Sequence, residues 1–242
     1  MSGPPGGRES PADGSLSPPP VAPWKVVHAA AAFLAGIGGS LLAAVAVAPG
    51  GITSFEAFAV VGPAQSLATI GVVALLRRHS RPAREDLGFR FAPADGWGLL
   101  AGAGLQIALS LLLSLVVVVF FRGEAPVQDV VQIVDEAVGL GTRVAVVATA
   151  VFLAPVAEEL VFRGILLRAL ARRFRPWTAA IGSAGAFALG HLLDPNAALA
   201  VPALFLMGVV LARQVQASAR LGGAMAVHVG FNLLSVLFLF LA

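Results

Sequence analysis

The sequence predicts an all-α protein, a polytopic transmembrane helix bundle of about seven spanning helices with a cytoplasmic N-terminus. Of its 242 residues, 58% are hydrophobic and 12% are charged, whereas soluble domains contain about 25% charged residues. Seven apolar segments approach the roughly 20 residues that a spanning helix needs. Arginines concentrate in every second connection between these segments, which is typical of multi-pass membrane proteins.

The first 23 residues differ from the rest of the chain. Residues 1–23 are rich in Pro, Gly and Ser and nearly free of large apolar side chains, so they predict a disordered tail. The apolar segment that follows is longer than the hydrophobic region of a secretory signal peptide, and the region before it is long and polar. We therefore interpret residues 24–242 as the transmembrane domain.

The predicted spanning segments differ in length. The fifth and sixth are short, and Asp194-Pro195-Asn196 between them predicts irregular backbone that other helices must shield from lipid. The seven segments cover residues 26–48, 55–76, 97–121, 144–168, 177–193, 197–212 and 223–241.

The distribution of basic residues predicts the orientation. Only Arg122 and Arg143 lie in the connections on one side of the predicted membrane, and Arg163 lies within it. The other thirteen basic residues fall on the opposite side, which we predict to be cytoplasmic, with the C-terminus external. They are Arg8, Lys25, Arg77, Arg78, Arg81, Arg84, Arg90, Arg168, Arg172, Arg173, Arg175, Arg213 and Arg220.

The composition also excludes some functions. Basic residues scattered between apolar segments give no sign of nucleic-acid binding, and the absence of cysteine excludes disulfides and thiolate metal sites. Arginine outnumbers lysine fifteen to one, which favours a GC-rich bacterial source. We therefore expect a multi-pass protein of the bacterial inner (cytoplasmic) membrane.

Several ionisable residues fall within predicted spanning helices, where each costs about 2.5–3.5 kcal/mol on insertion scales. Such residues indicate either function or internal pairing. The set consists of Glu158, Glu159, Arg163, His191 and His228, with Asn232 as a polar companion.

Spacing separates the two glutamates. Glu159 and Arg163 lie four residues apart on one helical face, in the favourable acid-first order. A purely structural salt bridge would explain this pair. It would not explain Glu158, which is rotated by about 100° around the helix.

Counting along the chain predicts that these groups converge. A helical hairpin turning near Arg175-Pro176 brings His191 level with the glutamates. In the last helix, His228 and Asn232 share a face. At about 1.5 Å per residue they reach a depth similar to that of Glu158. The alternatives to a functional site are that His191 only packs in the core and that His228 and Asn232 only form helix–helix hydrogen bonds, worth about 0.6 kcal/mol.

These side chains suffice for peptide hydrolysis. A glutamate beside a histidine can activate water, and a second histidine with an asparagine amide can stabilise an oxyanion. Two histidines and a carboxylate are also a known catalytic zinc set, although the H-E-x-x-H helix is absent.

Three motifs carry a resemblance to a known family. EELVFR fits E-E-x-x-x-R, FALGH fits F-x-x-x-H, and HVGFN fits H-x-x-x-N, in this order on three late helices. Over about residues 143–242 the sequence resembles the CPBP (ABI) family of intramembrane proteases. That family includes type II CAAX prenyl endopeptidases and bacteriocin self-immunity proteins. EDLGFR, residues 85–90, resembles the loop that precedes the core in bacterial members.

The resemblance implies a role for each candidate. Glu158 and His191 would activate water, His228 and Asn232 would line the oxyanion site, and Glu159 and Arg163 would support them. It also implies metal-free glutamate catalysis, so no cofactor is expected, and zinc is the disfavoured alternative.

The expected function is therefore that of an endopeptidase acting near the cytoplasmic leaflet on a membrane-associated peptide or protein. Membrane lipid would be its other partner. The sequence sets no oligomeric state. One alternative is a non-catalytic immunity or scaffold protein. Another is a proton-coupled transporter, which is less favoured because the sequence shows none of the inverted repeats expected of one. If the candidates form one site, the last helix must pack against the hairpin and close a polar cavity open to the cytoplasm.

Overall fold

The computed structural model describes residues 24–48, 54–78, 83–122 and 140–241, all of which form helices or connecting turns. The predicted disordered tail, residues 1–23, lies outside the described part of the chain. Within that part, α4 is a continuous helix built from alternating α-helical and π-helical stretches between Leu140 and Ala171. The other main helices are α1 (Val26–Val47), α2 (Ser54–Leu76), α3 (Trp97–Phe121), α5 (Pro176–Gly190), α6 (Val201–Ser218) and α7 (Gly222–Leu241).

The predicted fold class, a polytopic bundle of transmembrane helices, is confirmed. Five described segments are long and apolar enough to cross a membrane, compared with the seven predicted. They are Val26–Val47, Ala59–Leu76, Pro93–Phe120, Arg143–Ala171 and Ala197–Ser218, and the last helix is apolar over the shorter stretch Gly222–Phe238.

The fifth predicted span is shorter than expected. α5 has 15 residues, which corresponds to about 22 Å of helix, less than the hydrocarbon thickness of a bilayer. Two short 3₁₀ segments, His191–Leu193 and Pro195–Ala200, follow it. Between them Asp194 is extended, so the irregular backbone predicted at Asp194-Pro195-Asn196 is found there.

The centre of the bundle is α4. Every residue from Glu159 to Leu167 is buried, and α1, α2, α5, α6 and α7 all contact this helix, while α3 packs mainly against α7. A polar side chain on the buried part of α4 therefore faces other helices instead of lipid, as a buried ionisable group requires.

Glycines let α3 and α7 approach closely. A Cβ added at Gly102 would collide with the backbone of Val227 and Phe231, and one added at Gly230 would collide with the backbone of Leu99. Small residues permit such backbone contact between membrane helices. The contact fixes the position of α7 against α3, and with it the position of His228.

The start of α7 is also held by the segment that contains EDLGFR. The Leu221 amide donates to the Gly88 carbonyl at 2.8 Å, and the Gly222 amide donates to the Arg90 carbonyl at 3.1 Å. Gly88 has a φ of +68°, and a Cβ there would collide with Arg168 and with the Ala219 carbonyl. Glycine is therefore required at the point where this segment meets α7.

We expect Gly102→Val to destabilise the fold by about 1–3 kcal/mol, because overpacking at a close backbone contact forces the helices apart. The matched control is Gly104→Val on the same helix, where an added Cβ meets nothing within 4 Å. Reversible unfolding in mixed detergent micelles measures both variants. Equal unfolding free energies for the two variants would show that the α3–α7 contact does not hold α7 in place.

Candidate active site

The site lies on α4 between two π-helical stretches, Thr149–Leu153 and Leu160–Leu166, which flank the α-helical stretch Ala154–Glu159. Pro155 explains the first stretch, because proline has no N–H to donate and its ring displaces the preceding carbonyls. The Ala154 amide bonds to the Thr149 carbonyl, the π-helical pattern. π-Bulges are frequent at functional sites, and here they frame the two adjacent glutamates.

Glu159 and Arg163 form a sealed ion pair. Arg163 Nη1 lies 2.8 Å from Glu159 Oε1, and neither side chain is exposed. Arg163 Nη2 donates to the Gly208 carbonyl of α6 at 3.3 Å, and its guanidinium lies 4.5 Å from the ring centroid of Phe187. Removing one member of such a pair leaves an uncompensated buried charge and costs about 3–5 kcal/mol.

His228 lies between the two carboxylates. Its Nδ1 is 3.0 Å from Glu159 Oε1, and its Nε2 is 3.5 Å from Glu158 Oε2. The His228 side chain is only 2% exposed, so it faces the protein interior and not lipid. The predicted approach of the last helix to the glutamates is therefore found.

The proton count of this cluster follows from its geometry. A neutral imidazole carries one N–H, so it cannot donate to both carboxylates. The two contacts of His228 are both attractive only if one additional proton lies on the ring or on Glu158.

Glu158 differs from Glu159 in access. Its side chain is 28% exposed, whereas that of Glu159 is fully buried. Glu159 Oε1 accepts from both Arg163 and His228, and its Oε2 has no partner within the described part of the chain. Glu158 is therefore the carboxylate of this pair that a water or a substrate can reach.

His191 lies at the far end of α5. Its Nδ1 is 2.9 Å from the Phe187 carbonyl, and because a carbonyl can only accept, Nδ1 must carry the hydrogen. Nε2 of a neutral His191 then has a free lone pair, as a water-activating base requires.

The hairpin register differs from the predicted one. Ser183 Oγ donates to the Phe162 carbonyl at 2.7 Å, and counting from this bond sets Glu158 about level with Phe187. His191 lies one turn farther along than the sequence count predicted. An earlier turn accounts for most of the shift. α4 ends at Ala171 and α5 begins at Pro176, so the hairpin turns at Arg172–Arg175, before the predicted Arg175-Pro176.

Phe187 connects the separated parts of the site. Its ring makes edge contacts with the rings of His191 and His228, at centroid distances of 4.8 and 5.8 Å, in addition to its contact with Arg163. In the sequence, Phe187 stands out only as the first residue of the F-x-x-x-H motif. Its position four residues before His191 was the available signal, since that spacing places both on one helical face.

Asn232 has a structural partner. Its Nδ2 donates to the Ala150 carbonyl at 2.8 Å. That carbonyl has lost its helical donors, because the Ala154 amide turns to Thr149 and the next residue, Pro155, has no N–H. Asn232 thus supplies the hydrogen-bond donor that Pro155 cannot, and anchors the adjacent backbone. The other five predicted groups contact one another directly or through Phe187.

The sequence left zinc as a disfavoured alternative. No group of three His, Cys, Asp or Glu side chains that could hold a metal is found among the described residues. We therefore derive no chemical step through a metal.

These features define a class: a multi-pass helical membrane protein with a buried, ionisable, glutamate-centred site. A family model described as "Type II CAAX prenyl endopeptidase Rce1-like" matches residues 140–234. The predicted CPBP resemblance is thereby confirmed at the level of a CAAX-type intramembrane protease family. The comparisons with curated proteins and with solved structures gave no match.

We expect Asn232→Ala to lower the unfolding free energy by about 1–3 kcal/mol, because it leaves the buried Ala150 carbonyl without a donor. In a Pro155→Ala background the same substitution should cost less, since the restored backbone N–H lets α4 resume regular bonding. A double-mutant cycle on unfolding in detergent measures this coupling. The same cost in both backgrounds would mean that the two residues act independently.

Proposed function

We propose that this protein is an intramembrane endopeptidase that hydrolyses a membrane-associated peptide or protein near the cytoplasmic leaflet, with Glu158 as the general base. The observation that carries the proposal is the contrast between the glutamates. Glu159 is sealed against Arg163 and His228, while Glu158 has an exposed edge and lies 3.5 Å from His228. A base must reach its water, and Glu158 is the carboxylate that can.

The proposed first step begins with a water held between Glu158 and the free Nε2 of His191. Glu158 removes one proton from the water, whose oxygen bonds to the carbonyl carbon of the scissile peptide. The carbonyl electron pair moves onto its oxygen and forms a tetrahedral oxyanion. In this proposal the additional proton lies on the His228 ring and not on Glu158, so that Glu158 is free to act as the base. The His228 Nε2–H then donates to the oxyanion, as preorganised donors do in other hydrolases.

In the second step the oxyanion collapses and the carbon–nitrogen bond breaks. Glu158 returns its proton to the leaving nitrogen, so the products are a carboxylic acid and an amine and the enzyme is regenerated. Asn232 carries two amide hydrogens, of which the Ala150 carbonyl takes one. The second is available to the oxyanion, which reconciles an anchoring role with the role implied by the family.

The remaining groups act through Glu158 and His228. Arg163 and Glu159 neutralise each other's charge, and both side chains are fully buried. Phe187 packs against Arg163, His191 and His228. We assign Arg163, Glu159 and Phe187 as positioning residues. They hold the reactive groups in the geometry that water activation needs.

Glu158→Gln keeps the size of the side chain and removes the base, so we expect a loss of cleavage of about 10²–10⁴-fold. Quantitative membrane peptidomics of cells that express wild type or variant measures this loss and identifies the substrate. The control is Glu85→Gln, an exposed glutamate outside the site. Unchanged peptide fragments in Glu158→Gln cells, with the variant folded, would favour a non-catalytic immunity or scaffold protein instead.

We expect the purified protein to contain no stoichiometric zinc and to retain its activity after treatment with a chelator, because the described residues include no group of three potential metal ligands. Elemental analysis of the full chain in detergent measures the metal content directly. One tightly bound zinc per chain that disappears in His191→Ala would overturn the proposed water-activating role of Glu158 and His191.

A further inference from the structure

A second feature lies on the outer surface of α5 and α6, away from the glutamates. These helices run antiparallel, and an added Cβ at Gly208 would meet Ala184. Arg213 lies against Trp177 at the end where α5 begins and α6 ends. This end is the one that the arginine distribution predicts to be cytoplasmic.

Arg213 is held rigidly at this end of the pair. Its guanidinium lies 4.3 Å from the Trp177 ring centroid, and its Nη1 donates to Gln216 Oε1 at 2.7 Å. Gln216 is fixed in turn, because its Nε2 donates to the Pro176 carbonyl at 2.8 Å. A guanidinium has five N–H donors, and no carboxylate pairs with Arg213 within the described part of the chain. The arginine is thus preorganised, with donors remaining for an anion.

Helical spacing places apolar residues along one side of the contact between α5 and α6, and these define a furrow that leads away from Arg213. On α5, Trp177, Ile181 and Gly185 follow one another at intervals of four residues, and on α6 Phe205, Val209 and Arg213 do the same. Trp177 and Ile181 are exposed, and an added Cβ at Gly185 would meet nothing within 4 Å. From Arg213 to Phe205 the furrow is about 12 Å long.

The surroundings of Arg213 are those of a membrane interface. A cavity of about 370 Å³ opens beside it, lined in part by Phe174 and Pro176, and Phe174 is exposed. Arg173 and Arg175 are exposed nearby and add positive charge. Aromatic and basic side chains of this kind gather at the level of lipid headgroups, and basic pockets between transmembrane helices bind anionic headgroups.

We propose that this furrow is a binding site for one anionic phospholipid. The phosphate accepts hydrogen bonds from Arg213 at the cytoplasmic end, and an acyl chain lies between α5 and α6 against Ile181, Gly185 and Val209. A fixed cation at one end of an apolar track matches the two parts of a phospholipid. The site is independent of Glu158 and of the proposed hydrolysis.

Native mass spectrometry of the full chain, titrated in detergent with phosphatidylglycerol or phosphatidylcholine, tests this proposal. We expect phosphatidylglycerol to bind more tightly, and Arg213→Gln to weaken its binding about fivefold or more. Arg78→Gln is the matched control, because it removes an exposed arginine at the end of α2, away from the furrow. If phosphatidylglycerol binding weakened equally in both variants, or in neither, Arg213 would act only as general surface charge or not at all. Either result would contradict the proposed site.

The acyl chain is tested separately from the phosphate. Gly185→Leu fills the furrow and should weaken phosphatidylglycerol binding, whereas Gly185→Ala, which leaves the furrow open, should not. Displacement of the lipid by inorganic phosphate at millimolar concentration, or full binding in Gly185→Leu, would show an anion site without a chain track. Either result would overturn the proposal. Thermal unfolding of each variant confirms that it is folded.

Discussion

The ion pair between Glu159 and Arg163 is the constraint on which the rest of the structure depends. Neither side chain is exposed, and an uncompensated charge at this position would cost several kcal/mol. The pair therefore draws partners from three other helices: His228 of α7, Phe187 of α5 and the Gly208 carbonyl of α6. The helices pack where these contacts require, and the one carboxylate left at the edge of the cluster is Glu158. Structure and proposed chemistry thus have a common origin in one buried charge pair.

Backbone irregularity contributes as much as the side chains do. Pro155 removes a donor from α4, the helix widens into a π turn, and the Ala150 carbonyl is left for Asn232 to satisfy. A second link therefore joins α4 to α7, one turn of α7 beyond His228. The contacts of His228 and Asn232 with α4 fix the position of α7 along its axis. The close glycine contacts with α3 fix its lateral position. An imidazole aligned between two carboxylates needs this degree of positioning.

Much of this site could be predicted from local sequence rules. Charged residues in an apolar helix, the four-residue spacing of Glu159 and Arg163, and the shared face of His228 and Asn232 all depend on helix periodicity alone. The register of α4 against α5 could not be predicted, because it depends on where the hairpin turns, and the turn lies at Arg172–Arg175 instead of Arg175-Pro176. Phe187 was missed for the same reason. The partner of Asn232 could not be predicted because it is a backbone carbonyl, which the identity of Ala150 does not reveal. The one signal was Pro155, five residues later, which leaves that carbonyl without its helical N–H donor.

The central claim is that two adjacent glutamates have different roles because one is sealed and the other is accessible. Carbodiimide-activated amidation of carboxyl groups in the native protein, followed by fragmentation mass spectrometry that resolves the two positions, tests it most directly. The account predicts that Glu158 is modified while Glu159 is not, and that both are modified once the protein is unfolded in denaturant. Modification of Glu159 at the rate of Glu158 in the native protein, or of Glu159 alone, would contradict the account.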